Sequence, residues 1–195
     1  MENSVEQFED LVGEKVRRLR LGQRLTLDQL AALSGVSRAM ISKVERAEAS
    51  PTAATLARLC SALGVSLSVF FADGTGGEGP LRRRKDQPEW RDPESGYLRR
   101  AVSATGTGSN TEIIEVEFPP GREVRFEGQL ASRSQTQHLW VLAGAIEVTV
   151  RDKPIRLHTG DCLFMNVADI SAYRNPGDQP CRYAVILSFG AGQLP

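Results

Sequence analysis

TLDQLAALSGVSRAMISKVER, running from Thr26 to Arg46, predicts two short helices joined by a tight turn. Thr26 is placed to cap the first helix, with Gln29 three residues on to reach back to the cap, and Leu27, Leu30, Ala31 and Leu33 supply its apolar stripe. Gly35 is the C-terminal stop, since glycine accepts the left-handed backbone of a sharp helix exit, and Val36 plugs the joint behind it. Ser37 caps the second helix. There Met40, Ile41 and Val44 are expected to face inward, which leaves Arg38, Ala39, Ser42, Lys43 and Arg46 outside. That outer face carries donors suited to base edges and phosphates, the pattern of a helix-turn-helix that reads DNA.

Any small helical bundle contains such a hairpin, so the flanks decide. Upstream, Phe8, Leu11, Val12, Val16 and Leu19 form a helical stripe ending near Leu21, before Gly22. Downstream, Ser50 and Pro51 read as a cap followed by proline at the first helical position. They open a helix from Thr52 to Leu63 with Leu56, Leu59 and Leu63 as its apolar face, closed by Gly64. Ser66 then caps a last short helix through Phe71, giving five helices. In helix order, and in the run SGVSRAMISKVERAEASPTAATLARLCSALGVS, residues 8–72 resemble the phage-repressor-like, or Xre-type, DNA-binding domain.

The resemblance implies roles position by position. Arg38 and Ala39 open the recognition helix, where the family touches base edges in the major groove, and Lys43 lies one turn later on the same face. Arginine forks onto O6 and N7 of guanine, a contact that discriminates by about 1 to 3 kcal/mol. Ser37, Ser42 and Arg46 suit phosphate contacts, as does Gln29 near the positive end of the preceding helix. Arg20 and Glu45 are similar to the family's internal ion pair tying the first helix to the third.

Charge alone argues nothing, because 24 Lys and Arg balance 24 Asp and Glu. Residues 1–71 hold nine basic side chains against eight acids, and Glu2, Glu6, Glu9 and Asp10 cluster away from the expected groove face. Local asymmetry therefore has to steer DNA, and dimerisation is expected to double the phosphate contacts and add a second half-site.

The chain is too long for that domain alone, and its composition changes after Phe71. ADGTGGEGP, Ala72 to Pro80, reads as a flexible linker. In LRRRKDQPEWRDPESGYLRR, the basic run Arg82, Arg83, Arg84 and Lys85 reads as a solvated hinge in preference to a contact with flanking DNA. Trp90 and Tyr97 are too costly to expose, so this arm is expected to pack onto a second domain. From Leu98 the period shortens to two. Ile113 to Phe118, Leu139 to Leu142, Ile146 to Val150, Cys162 to Met165 and Tyr183 to Phe189 read as strands, with turn signals between them such as Asp152-Lys153-Pro154. Many short strands imply an antiparallel sandwich or small barrel.

Two motifs, HLWVLAGAIEVTV and HTGDCLFMNVADISAYRNPGDQPCRYAVIL, resemble the double-stranded β-helix of the cupin superfamily over residues 110–190. The chain as a whole resembles an Xre-cupin transcriptional regulator. Its expected layout is an all-α domain at 1–72, a linker and arm at 73–97, and an all-β jelly-roll barrel for effector binding and dimerisation at 98–195. The arm EWRDPESGYLRR resembles a segment of a regulator subgroup linked with sulfur utilisation.

Many cupins are metalloenzymes, and the resemblance places their ligands on this chain for testing. Gln137 stands at the glutamate position, Leu130, Ala131, Ser132 and Arg133 span the two histidine positions, and Ser171 replaces the last histidine. Asn166 also replaces the usual proline. The chain's two histidines are His138 and His158. Catalytic divalent metals want imidazole with carboxylate, so no metal, cofactor or catalytic residue is expected. Gln137, Ser171 and Asn175 are instead expected to line the barrel mouth, with Tyr173 on the same strand face as Ser171, and to hydrogen-bond a small polar effector. Arg125 and Arg133 are placed to pair with a carboxylate or sulfonate. The competing readings are a barrel filled by its own side chains in a constitutive regulator, and an enzyme fused to a DNA-binding domain. His138, out of phase with Gln137, shares with Trp140 a face suited to sheet packing or an interface. Cys60, Cys162 and Cys181 form no CxxC pair, and their odd number argues against a disulfide framework. No signal peptide and no apolar run of about 18 residues is present, so a soluble cytoplasmic protein without a membrane partner is expected. The leading expectation is a homodimeric regulator on a palindromic DNA operator.

Overall fold

The computed structural model describes residues 2–65, 67–72, 79–104, 107–126 and 135–189. Its first part is helical: α1 (Glu2–Gly22), α2 (Leu27–Ser34), α3 (Arg38–Glu45) and α4 (Ala53–Ala62), followed by the short α5 (Leu67–Ala72). Local chemistry sets the boundaries. Thr26 Oγ1 accepts from the Gln29 amide at 3.1 Å while the Thr26 amide donates to Gln29 Oε1 at 2.8 Å, so both ends of the capping box are made. Gly35 takes φ +66° and donates its N–H to the Ala31 carbonyl, which ends α2.

Several expected inward positions move by one residue. Leu33 and Met40 are exposed. Leu30 and Ser34, four apart, hold the inner line of α2, and the Ser34 hydroxyl donates to the Leu30 carbonyl at 2.7 Å, satisfying a polar group in an apolar slot. Ile41 and Val44 suffice for α3, as Val12 and Val16 do for α1, where Leu11 is exposed. The cap of α4 is Thr52, whose Oγ1 accepts from the Thr55 amide at 3.2 Å, instead of Ser50. Pro51 is buried ahead of the helix, and the side chain of Phe8 and all of Ser66 lie outside the described residues. Gly13 allows α1 and α3 to touch backbone to backbone, because a Cβ there would collide with the Val44 carbonyl oxygen.

The second part is two antiparallel sheets. One has six strands in the order β1 (Glu89–Arg91), β2 (Leu98–Ala101), β3 (Thr111–Phe118), β10 (Cys181–Phe189), β5 (Gln135–Ala143) and β8 (Cys162–Asn166). The other has four, β4 (Glu123–Arg125), β9 (Ile170–Arg174), β6 (Ala145–Val150) and β7 (Lys153–His158). Inward residues alternate along β3, β5, β6 and β10, and Val116, Phe118, Leu139, Val141, Ile146 and Val148 fill the space between sheets. The tight turn before β7 is at Arg151 and Asp152, both at positive φ. Lys153 and Pro154, expected in that turn, open β7, where proline is tolerated because the strand is a sheet edge.

The arm joins the barrel and also grips the helices. Trp90 and Tyr97 are buried, Tyr97 stacks on Phe118 at 5.5 Å, and Trp90 lies 5.4 Å from Phe71 of α5. Arg99 of β2 sets its guanidinium 4.7 Å over the Phe71 ring. Arg100 beside it is held by Glu89 at 2.6 Å and Glu115 at 2.7 Å. Asp92, 2% exposed, accepts from the Ala53 amide at the start of α4 at 2.6 Å and from the Ser95 amide at 2.7 Å. The two parts therefore share buried polar and aromatic contacts. The linker expected at Ala72 to Pro80 lies mostly outside the described residues.

Candidate functional site

Two surfaces carry the chemistry. The first is the outer face of α3 and the start of α2. Arg38, Ala39 and Lys43 are exposed there, with Ser42 half-buried, while Ile41 and Val44 anchor the helix below. Ser37 Oγ accepts from the Met40 amide at 3.2 Å, so this hydroxyl caps α3. Arg38 lies 3.3 Å from Asp28 across the turn, a solvated pair that holds it weakly. Arg46 is gripped by Glu48 at 2.6 and 2.7 Å and also donates to Ser42 Oγ. Gln29 is exposed, its amide oxygen committed to the capping box. Behind this face Arg20 and Glu45 form a two-pronged pair at 2.6 and 2.7 Å, and Arg20 Nη1 reaches the Leu25 carbonyl at 2.8 Å.

The second is a cavity of about 120 Å³ between the barrel and the helices. Its floor and walls come from the barrel and its arm, with Tyr97, Arg99, Gln135, Gln137, Tyr173 and Tyr183 as polar members. Ala57, Cys60 and Ser61 of α4, with Val65 and Leu67, form its roof. Gln137 donates its Nε2–H to the Tyr173 hydroxyl at 2.8 Å, and burial pushes the Tyr173 phenol up to about 12. Cys60 is held neutral in the same way, its thiol raised by burial. Cys60, Cys162 and Cys181 are all free, with Cys162 exposed on β8 and Cys181 buried on β10.

Of the expected effector residues that the structure describes, Gln137 and Tyr173 line this cavity, and Arg125, Ser171 and Asn175 do not. Arg125 is exposed and pairs with Glu123 at 2.8 Å, because the short strand β4 turns it outward while Val124 faces the cavity. Asn175 is fully buried elsewhere: Nδ2 donates to the carbonyls of Phe118 and Gln179, and Oδ1 accepts from the Gly177 amide. It pins a loop to β3. Ser171 is the extra residue where the β6 and β9 register shifts, and its hydroxyl faces the Thr149 carbonyl at 3.5 Å. Arg133 and the positions Leu130, Ala131 and Ser132 lie outside the described residues.

Arg99 and Gln135 line the cavity and went unnoticed in the sequence. For Arg99 the alternation in Tyr97, Leu98 and Arg99 is a local signal, and the adjacent arginine disguises it. The donor set does not fit a catalytic metal. Gln137 is a neutral amide already bonded to a phenol, and among the described residues no three His, Cys, Asp or Glu side chains converge. His138 faces outward, its ring 5.1 Å from Phe164.

Residues 16–70 match the helix-turn-helix family and residues 114–187 the cupin domain family. The HTH-type transcriptional regulator y4dJ of Sinorhizobium fredii is 45% identical over 56 residues, 29% of this chain and 73% of its own length. The chain belongs to the Xre-type helix-turn-helix transcriptional regulators. This regulator carries a cupin domain behind the helices. It is 24% identical over 187 residues to the HTH-type transcriptional regulator SutR of Escherichia coli, covering 89% of this chain and 92% of that one. The crystal structure of an HTH_3 family transcriptional regulator from Vibrio cholerae shares the fold of the regulator, with TM-score 0.74, 23% identity, and coverage of 95% and 98% of the two chains. No described helix of the regulator is long and apolar enough to cross a membrane.

Proposed function

We propose that this regulator is a cytoplasmic, non-enzymatic, ligand-responsive homodimer that reads a palindromic DNA operator through α3 and senses a small molecule in its cupin cavity. The observation that carries the sensing step is the cavity's mixed lining, since its roof belongs to α4 and α5 and its floor to the barrel. A ligand that fills it touches both parts at once, so its affinity would depend on how they are set against each other, which is the dependence that allostery needs. The reading is also supported by Gln137 and Ser171, which stand at cupin ligand positions without the imidazole or carboxylate that a catalytic divalent metal wants. A thermal-shift screen against amino acids, sulfur metabolites, polyamines and small carboxylates tests sensing, because a ligand of the folded state raises its melting temperature. A flat response across all classes would return the barrel to a structural role.

At the operator, Arg38 and Ala39 meet base edges, Lys43 follows one turn on, and Ser37, Ser42, Arg46 and the NH2 of Gln29 meet phosphates. Arg38 exchanges its solvated contact with Asp28 for a guanine. Arg38→Ala is expected to weaken binding to duplexes selected from a randomised pool by about 1 to 3 kcal/mol, with specificity lost at one base pair per half-site. Fluorescence anisotropy with each single-base variant reads this. Equal losses on every duplex would make Arg38 a phosphate contact.

The second copy is assigned to the outer face of β5 and β8. Trp140 is 49% and Phe164 57% exposed there, beside His138 and at the edge of the six-stranded sheet. Exposed aromatics grouped this way suit an interface core. Replacing Trp140 and Phe164 together with Asp is expected to yield a folded monomer in analytical ultracentrifugation. A persisting dimer would move the interface elsewhere.

A further inference from the structure

We propose that the cavity is built for a small monocarboxylate of about four to five carbons bearing a hydroxyl or similar donor, held by Arg99 and Gln135. This rests on the sensing reading above and names its ligand class. Among the described lining residues Arg99 is the one charged group. The neutral partners around it stay neutral, because burial raises the phenols of Tyr97, Tyr173 and Tyr183 and the thiol of Cys60. A guanidinium keeps its charge, so a desolvated one favours carboxylates. Glu112 already acts on Arg99 electrostatically. A guanidinium fork has five donors, more than one carboxylate takes.

Gln135 supplies the second contact. It is 4% exposed, and its Oε1 has no hydrogen-bond partner among the described residues. A buried acceptor of this kind calls for a donor, which a 2-hydroxy acid would bring within reach. Most of the other wall residues, among them Ile114, Val116, Val124, Ile170, Val185 and Leu187, are aliphatic, with the rings of Phe118 and Phe126 beside them, and this apolar lining suits a short branched body. At about 120 Å³ the space is somewhat below that of an engineered cavity of about 150 Å³ that holds benzene. The same guanidinium lies over Phe71 of α5, so a carboxylate drawing on Arg99 acts on the group that touches the helical domain.

The test uses the full chain at constant ionic strength with isobutyrate, isobutyramide, isobutylamine and 2-hydroxyisobutyrate, read by melting temperature and calorimetry. The two acids are expected to stabilise the protein, the hydroxy acid about fivefold more tightly, and the amide and amine to leave it unchanged. Arg99→Met should weaken both acids at least tenfold. Gln135→Leu should erase the advantage of the hydroxyl and spare isobutyrate. Should Arg99→Met fail to fold, the acid and amide comparison on the unaltered protein decides alone. Binding of the amine or amide in place of the acids overturns the ligand class. Four flat responses overturn it too, and the wider screen then separates the two readings: a hit in another class keeps sensing alive, and none ends it.

Discussion

Glu45→Ala is expected to lower the unfolding free energy of the helical domain by about 3 kcal/mol, read as a shift of the denaturation midpoint at constant slope. Glu45 closes α3, where a negative charge opposes the helix dipole, and Arg20 from the end of α1 offsets it. The side chains are only 10% and 7% exposed, and both carboxylate oxygens are taken. Without Glu45 the guanidinium keeps its bond to the Leu25 carbonyl but loses the charge that balanced its burial. An uncompensated buried ion costs far more than the net value of the pair. The double variant with Arg20→Ala should therefore be less destabilised than the two single losses added together. Simple additivity would show that the two side chains act independently. Operator binding should fall with Glu45→Ala as well, because the pair fixes the C-terminal end of the reading helix against α1.

What was legible in the sequence was legible because its cause is local. The capping box of Thr26 and Gln29, the left-handed Gly35 and the Ser37 cap each depend on neighbours within four residues, and each stands where the spacing placed it. The β-rich runs were visible from alternation, and Trp90 and Tyr97 announced burial by their size. Arg20 and Glu45, 25 residues apart, needed the family resemblance. The cavity was harder. Arg125 and Asn175 have suitable chemistry but wrong directions, and direction follows from the outward turn of β4 and from a loop that engages both the NH2 and the Oδ1 of Asn175. Arg99 was hidden for the opposite reason. Two arginines in a row read as solvated, yet one is buried against Phe71 and the cavity while its neighbour is neutralised by Glu89 and Glu115. Position-specific burial of charge comes from partners far along the chain, which no periodicity records.

Asp92→Ala is expected to cost about 2 kcal/mol or more of stability and, with it, the communication that the proposed sensing requires between cavity and reading head. Asp92 Oδ1 takes the first amide of α4, one of the four that a helix cannot satisfy itself, and its negative charge sits at the positive end of that helix. Oδ2 takes the amide and hydroxyl of Ser95, at 2.7 and 2.5 Å, which locks the arm's own turn. One buried carboxylate thus ties a turn of the barrel's arm to the helix that roofs the cavity. Alanine strands buried donors on both sides, and each costs about 1 to 3 kcal/mol. Allosteric coupling between two sites is usually worth about 1 to 3 kcal/mol, so loss of this tie is enough to abolish it. Operator titrations of Asp92→Ala with and without a stabilising ligand from the screen should coincide, whereas those of the unaltered protein should separate. Ser95→Ala is the control, since it removes only the hydroxyl's bonds to Asp92 and from the Tyr97 amide, both within the arm, and keeps the bond to Ala53. If Asp92→Ala melts too early to titrate, Asp92→Asn serves, because it keeps an acceptor for Ala53 but sets an NH2 against the two Ser95 donors. Retained coupling in a merely less stable variant would make Asp92 a structural peg, and the signal would then have to pass through Arg99 and Phe71.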